Sequence, residues 1–123
     1  MVDVGFHRQY MVTASDNIKV WDTRMLKVLH TYHCHRKVSG IELSATGLLG
    51  VNYSYELELF KDACLTRQSH PYMKHQSNGC NIRSMKFVPF EDVLGLGLTK
   101  GFSSIIVPGS GDPNYDTFEN NPF

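Results

Sequence analysis

The sequence predicts an all-β chain assembled from repeated antiparallel sheets, and three observations carry that expectation. Apolar and polar residues alternate in short runs such as Ile18, Lys19 and Val20, the pattern of a half-buried strand. Helical periodicity is absent throughout. The chain also superposes on itself: Tyr10 to Thr23, "YMVTASDNIKVWDT", aligns without gaps on Leu49 to Asp62, "LGVNYSYELELFKD", at an offset of 39. A third copy, "LGLGLTKGFSS" from Leu94, follows the second at an offset of 45.

Each copy reads as strand, tight turn, strand. The turns are Ser15 to Asn17, Tyr53 to Glu56 and Thr99 to Gly101, with turn-forming residues in the first and third. The segments between copies repeat as well: "SGIELSATGLLG" and "IRSMKFVPFEDVLG" each give an alternating strand, a turn and the start of the next strand. In the first, Ile41 and Leu43 share a face; in the second, Ile82, Ser84 and Lys86, or Met85 and Phe87, supply the two faces. "KVLHTYHC" and "SHPYMKH" read as more polar outer strands, and "GFHRQY" near the start reads as the turn before a second strand.

A period of about 40 to 45 residues, four short strands per unit and a Trp-Asp pair (Trp21, Asp22) closing the third strand identify the unit as a WD-repeat propeller blade. The predicted fold is an all-β partial WD-repeat β-propeller of about two and a half four-stranded antiparallel blades. Residues 1–107 form the blades and residues 108–123 an irregular C-terminal strap. In such a blade the tryptophan is held by a hydrogen-bonded set, and Trp21, Asp16 and Thr13 or Ser15 fill three of its places, with His35 the structural histidine of the second blade. With "GFHRQY" as a turn, the chain starts inside a blade. Propellers close with roughly four to eight blades, so the missing ones are expected from the same longer polypeptide or from a partner.

Composition narrows the function classes. The chain has 123 residues, 12 basic against 12 acidic, and 41% hydrophobic residues, as one ordinary folded domain has. Zero net charge disfavours a strong autonomous nucleic-acid binder. The stretch from Arg24 to Lys37 is basic and holds no acid, and Arg24, Lys27, Arg36 and Lys37 are its candidate RNA or partner contacts. No apolar run approaches the roughly 18 residues of a membrane span, so no membrane partner is expected, and the N-terminus lacks a signal-peptide layout. Cys34, Cys64 and Cys80 are odd in number and irregularly spaced, which points to reduced thiols.

Motifs that suggest chemistry do not meet its requirements. "GLGLTKG" precedes a strand, whereas phosphate loops precede a helix. A nucleophile elbow needs glycines two residues either side of its serine, and Ser110 has Pro108 and Asp112 there. In "HTYHCHRK", His33 and His35 share a strand face that Cys34 leaves, too few ligands for zinc. No catalytic residue, metal or cofactor is expected.

The last third of the chain is more specific. "PGSGDPN" places two glycines and two prolines in seven residues, so it is irregular, and Tyr115, Phe118 and Phe123 follow among acids as aromatic anchors for docking. The candidate strap anchors are Gly109, Gly111, Pro113, Asn114, Tyr115, Phe118 and Phe123. "PFEDVLGLG", "KGFSSIIVPGSG", "PN" and the final "NPF" resemble the C-terminal region of the BING-four type of WD-repeat protein, with "GLLGV" and "SHPYMKH" extending the resemblance over most of the chain. The resemblance implies a non-catalytic nucleolar scaffold of the U3-containing small-subunit processome, acting in assembly of the small ribosomal subunit from its 18S rRNA precursor. It implies other processome proteins as partners, with phosphate contacts to pre-rRNA or U3 RNA inside the assembly. The sequence departs from the family in lacking upstream blades, an N-terminal extension and a charged tail beyond Phe123. The rival expectation is a WD-repeat adaptor that binds proteins or peptides and has no RNA role.

Overall fold

The computed structural model describes residues 3–34, 36–77 and 79–111. These hold eleven strands in three antiparallel meanders, with no helix among the described residues. Sheet 1 runs β1 (Asp3–His7), β2 (Tyr10–Ala14), β3 (Asn17–Asp22) and β4 (Lys27–His33). Sheet 2 runs β5 (Gly40–Leu43), β6 (Leu49–Asn52), β7 (Glu56–Phe60) and β8 (Met73–Gln76). Sheet 3 runs β9 (Ile82–Phe87), β10 (Val93–Leu98) and β11 (Gly101–Ile106). The three sheets are blades of a WD-repeat propeller that does not close.

The repeat offsets mark structurally equivalent strands: adding 39 carries β3 onto β7, and adding 45 carries β7 onto β11. The start of the chain differs from the sequence reading. Residues 3–7 form β1, paired with β2 from Asp3↔Ala14 to His7↔Tyr10, and only Arg8 and Gln9 make the turn. Sheet 1 therefore holds all four strands instead of starting partway in. Gly5 looks like a turn residue but serves a close approach: a Cβ there would lie 3.3 Å from Leu43 Cδ1 on the neighbouring sheet.

Period-two burial builds two cores. Val12, Ala14, Ile18 and Val20 of sheet 1 pack against Ile41, Leu49 and Val51 of sheet 2. On the other side, Leu57 and Leu59 of sheet 2 pack against Ile82, Phe87, Leu94 and Leu96 of sheet 3. Because sheet 2 is covered on both sides, all four residues of β6 are buried. Ile82 and Phe87 share a core despite their odd spacing because a bulge skips Arg83 between the pairs Gly97↔Ser84 and Leu98↔Ile82.

Polar ties join the sheets. Asp3 accepts the Ile41 N–H at 3.0 Å, and the buried Asn52 amide donates to the Ile82 carbonyl at 3.0 Å. On the outer side, the Tyr32 hydroxyl donates to the Ala63 carbonyl at 2.8 Å and accepts from the Gln68 N–H at 3.1 Å.

Candidate interaction surface

Antiparallel meandering gathers alternate turns at one end of the sheets, so Thr23–Leu26, the connection 61–72, the turn 88–92 and Val107 with the strap residues 108–111 share an end face. Hydrogen bonds across it fix the strap. Val107 is fully buried, and its N–H donates to the Asp92 carbonyl at 2.9 Å. The Tyr72 hydroxyl donates to the Pro108 carbonyl at 3.3 Å, and the Thr46 hydroxyl to the Gly109 carbonyl at 2.6 Å. The Gly111 N–H reaches Asp92 Oδ1 at 2.8 Å. Gly109 has φ +87°, which favours glycine, and a Cβ on Gly111 would sit 2.4 Å from the Glu91 carbonyl carbon. Pro113, Asn114, Tyr115, Phe118 and Phe123 lie outside the described residues.

Ser110 is fully buried and its hydroxyl donates to the Val107 carbonyl at 2.8 Å, so it closes a turn. His33 is exposed on the outer strand and Cys34 half-buried beside it. Among the described residues no three His, Cys, Asp or Glu side chains converge in a metal-binding arrangement. Burial pushes the Cys64 thiol up to about 11, so at neutral pH it is protonated.

The tryptophan set is partly assembled. Trp21 Nε1 donates to Thr13 Oγ1 at 3.1 Å on the face of sheet 1 turned from sheet 2, which decides between Thr13 and Ser15. Ser15 and Asp16 stand exposed in the β2–β3 turn, and no described side chain is bonded to the Asp16 carboxylate. His35 lies outside the described residues. Trp21→Phe and Thr13→Val should each cost about 1 kcal/mol of stability, and the double variant much less than the sum, since both remove one hydrogen bond. Urea unfolding of the four proteins measures this; fully additive losses would reject the pairing as the source.

Asp22 holds the next turn: its Oδ1 accepts the Arg24 N–H at 2.9 Å, while the Thr23 N–H and hydroxyl both donate to the Gln9 carbonyl. This turn lifts Met25 and Leu26 into solvent at 70% and 74% exposure, with Leu26 at φ +52°. Sequence reasoning used Asp22 only as half of the Trp-Asp pair and passed over Thr46, Asp92 and Tyr72. The local sign of Asp22's turn-holding role was the Asp-Thr pair at a strand end.

The basic stretch is divided. Arg24 and Lys27 flank the exposed Met25–Leu26 tip at one end of β4, whereas Arg36 and Lys37 follow its other end, roughly 20 Å away at about 3.3 Å per residue. Arg36 pairs with Glu56 at 2.5 Å and lies over the Tyr53 ring at 4.9 Å. Its hydrogen bond holds the Glu56 carboxyl below the usual range. Arg24, Lys27 and Lys37 remain exposed.

Residues 71–123, which include the strap and all of sheet 3, match the BING4CT (NUC141) domain. Over these residues the chain is similar to that family. The chain is 36% identical over 116 residues to "WD repeat-containing protein 46" of Caenorhabditis elegans, covering 93% of this chain and 20% of that protein. It is likewise 36% identical over 132 residues to "U3 small nucleolar RNA-associated protein 7" of Saccharomyces cerevisiae, covering 93% of this chain and 24% of that protein. The chain thus spans about a fifth to a quarter of the curated relatives it matches. In fold it is similar to the crystal structure of Saccharomyces cerevisiae Sqt1, with TM-score 0.69 at 13% identity over 89% of this chain and 31% of that one. Within the matched residues, "KGFSSIIVPGSG" supplies β11 and the glycine turn pinned beneath sheets 2 and 3.

Proposed function

We propose that the chain is a non-catalytic scaffold segment in small ribosomal subunit assembly, working in the nucleolus within the U3-containing processome. The observation that carries this reading is the match, over nearly the whole chain, to a yeast protein named for its association with U3 small nucleolar RNA. The architecture suits such work: pinned turns and a docked strap present fixed surfaces. The far face of sheet 3 offers Phe102, 93% exposed, and Ile106, and the outer edge of β11 carries no further strand among the described residues. Further blades, from the same polypeptide or a partner, are what such a face and edge fit. Processome proteins are the proposed partners at the Met25–Leu26 tip. RNA contact falls first to Lys27 and Lys37, because Arg36 is paired with Glu56 and Arg24 Nε lies 3.8 Å from Asp22 Oδ1.

The test is affinity purification of the tagged full-length protein from nucleolar extract. Enrichment of U3 RNA and 18S precursor is the expected result, and depletion of the protein should make unprocessed 18S precursor accumulate. Recovery in RNA-free complexes with normal precursor processing would instead support the adaptor reading.

A further inference from the structure

Sheets 1 and 2 each end on an outer fourth strand, β4 and β8, whereas sheet 3 ends on β11 among the described residues. An uncovered strand edge presents a row of unpaired N–H and C=O groups. Which segment pairs with it depends on where the chain goes after β11.

The path after β11 repeats the path after β7. The connection 61–72 leaves β7 and crosses to sheet 1, where the Tyr32 hydroxyl of β4 donates to the Ala63 carbonyl at 2.8 Å. The strap leaves β11 and crosses to sheet 2, where the hydroxyl of Tyr72, the residue before β8, donates to the Pro108 carbonyl at 3.3 Å. Ala63 and Pro108 are 45 positions apart, the offset that carries β7 onto β11. Equivalent carbonyls are therefore tied to the sheet before. Past its tie, the first connection returns to pair β8 with β7, from Glu56↔Gln76 to Leu59↔Met73. The same offset carries Met73–Gln76 onto Phe118, Glu119, Asn120 and Asn121.

The residue types fit that placement. Met73 packs against the core between sheets 2 and 3, and Phe118 takes its repeat position. The register of β7 with β8 sets Phe118 opposite Ser104, diagonal to Phe102 and Ile106, which are 93% and 71% exposed. Pro122 comes next and cannot donate to a strand ladder, so pairing stops where β8 stops. From Gly111 to Phe118 the chain spans up to about 23 Å at about 3.3 Å per residue, several times the distance between neighbouring strands. Reach is sufficient.

We infer that residues 118–121 of this same chain pair antiparallel with β11 as the fourth strand of sheet 3, with Phe118 laid between Phe102 and Ile106. The chain then seals its own edge, and further blades meet only the far face of this sheet.

Directly opposite positions of an antiparallel pair lie within disulfide reach. In the full chain, Ser103→Cys with Glu119→Cys, the counterparts of Glu58 and Lys74, should oxidise to an intramolecular disulfide, read by mass spectrometry of the linked peptides. Ser103→Cys with Asn120→Cys, one residue out of register and on the opposite face, should stay reduced. No disulfide in the first pair, or equal yields from both, overturns the assignment. Amide exchange supplies a second reading on the unmodified protein, where the N–H groups on the outer edge of β11 should be protected. Phe118→Ala should speed their exchange about tenfold and leave sheet 1 unchanged. Fast exchange before the substitution, or none of this response after it, equally rejects the pairing, the latter because a strand from elsewhere then fills the edge.

Discussion

Leu59→Ala is expected to cost about 2–5 kcal/mol, a large share of the roughly 5–15 kcal/mol that holds a domain together. Leu59 is fully buried on the face of β7 that meets sheet 3, among Leu57, Ile82, Leu94 and Leu96. It also fills the space above Gly50, where a Cβ would sit 3.4 Å from Leu59 Cδ2. Truncation removes the methyl groups that bridge two sheets and leaves a void that paired strands cannot close. Leu65→Ala, at a side chain 61% exposed on the end face, should change stability by no more than about 0.5 kcal/mol. Scanning calorimetry of the two variants is the check. Similar losses from both would mean that Leu59 does not bridge a tight inter-sheet core.

Gly111→Ala should release the strap. The added Cβ would fall 2.4, 2.6 and 2.7 Å from the carbon, oxygen and nitrogen of the Glu91 backbone, which cannot rotate away as a side chain can. Relief requires the strap to lift, breaking the Gly111 to Asp92 hydrogen bond and straining the Gly109 to Thr46 contact beside it. Overpacking of this kind costs about 1–3 kcal/mol. Gly109→Ala meets no atom within 4 Å and carries only the strain of its φ of +87°, about 1 kcal/mol. Limited proteolysis after residue 107 should therefore be fastest for Gly111→Ala, intermediate for Gly109→Ala and slowest for the parent. The reverse order for the two variants would show that backbone strain, not the Glu91 contact, governs docking.

The blades were legible in the sequence because period-two alternation and a fixed repeat are local and periodic signals. Offsets of 39 and 45 locate equivalent strands without any knowledge of contacts. What stayed hidden depends on neighbours. Gly5 suggested a turn because the Leu43 side chain that crowds it is 38 positions away. The Arg83 bulge left the faces of β9 undecided, since one skipped residue exchanges inside for outside. Glu58 aligns with the exposed Lys19, and only the packing of sheet 1 over sheet 2 buries it.

The interaction surface shows the same division. That the strap is irregular was readable from "PGSG", but Thr46, Tyr72 and Asp92, which bond Gly109, Pro108 and Gly111, lie between 19 and 63 residues upstream and leave no local mark. The basic stretch appeared as one patch because it is continuous along the chain. An extended strand then carries its two halves apart.

The middle sheet alone belongs to both hydrophobic cores, while sheets 1 and 3 each contribute to one. Cooperativity in such a stack passes only between adjacent layers, as in a one-dimensional chain of coupled units. Fraying accordingly starts at the flanks and reaches the centre last, so β6 and β7 form the slow-exchanging kernel through which any disturbance at one flank must pass to reach the other.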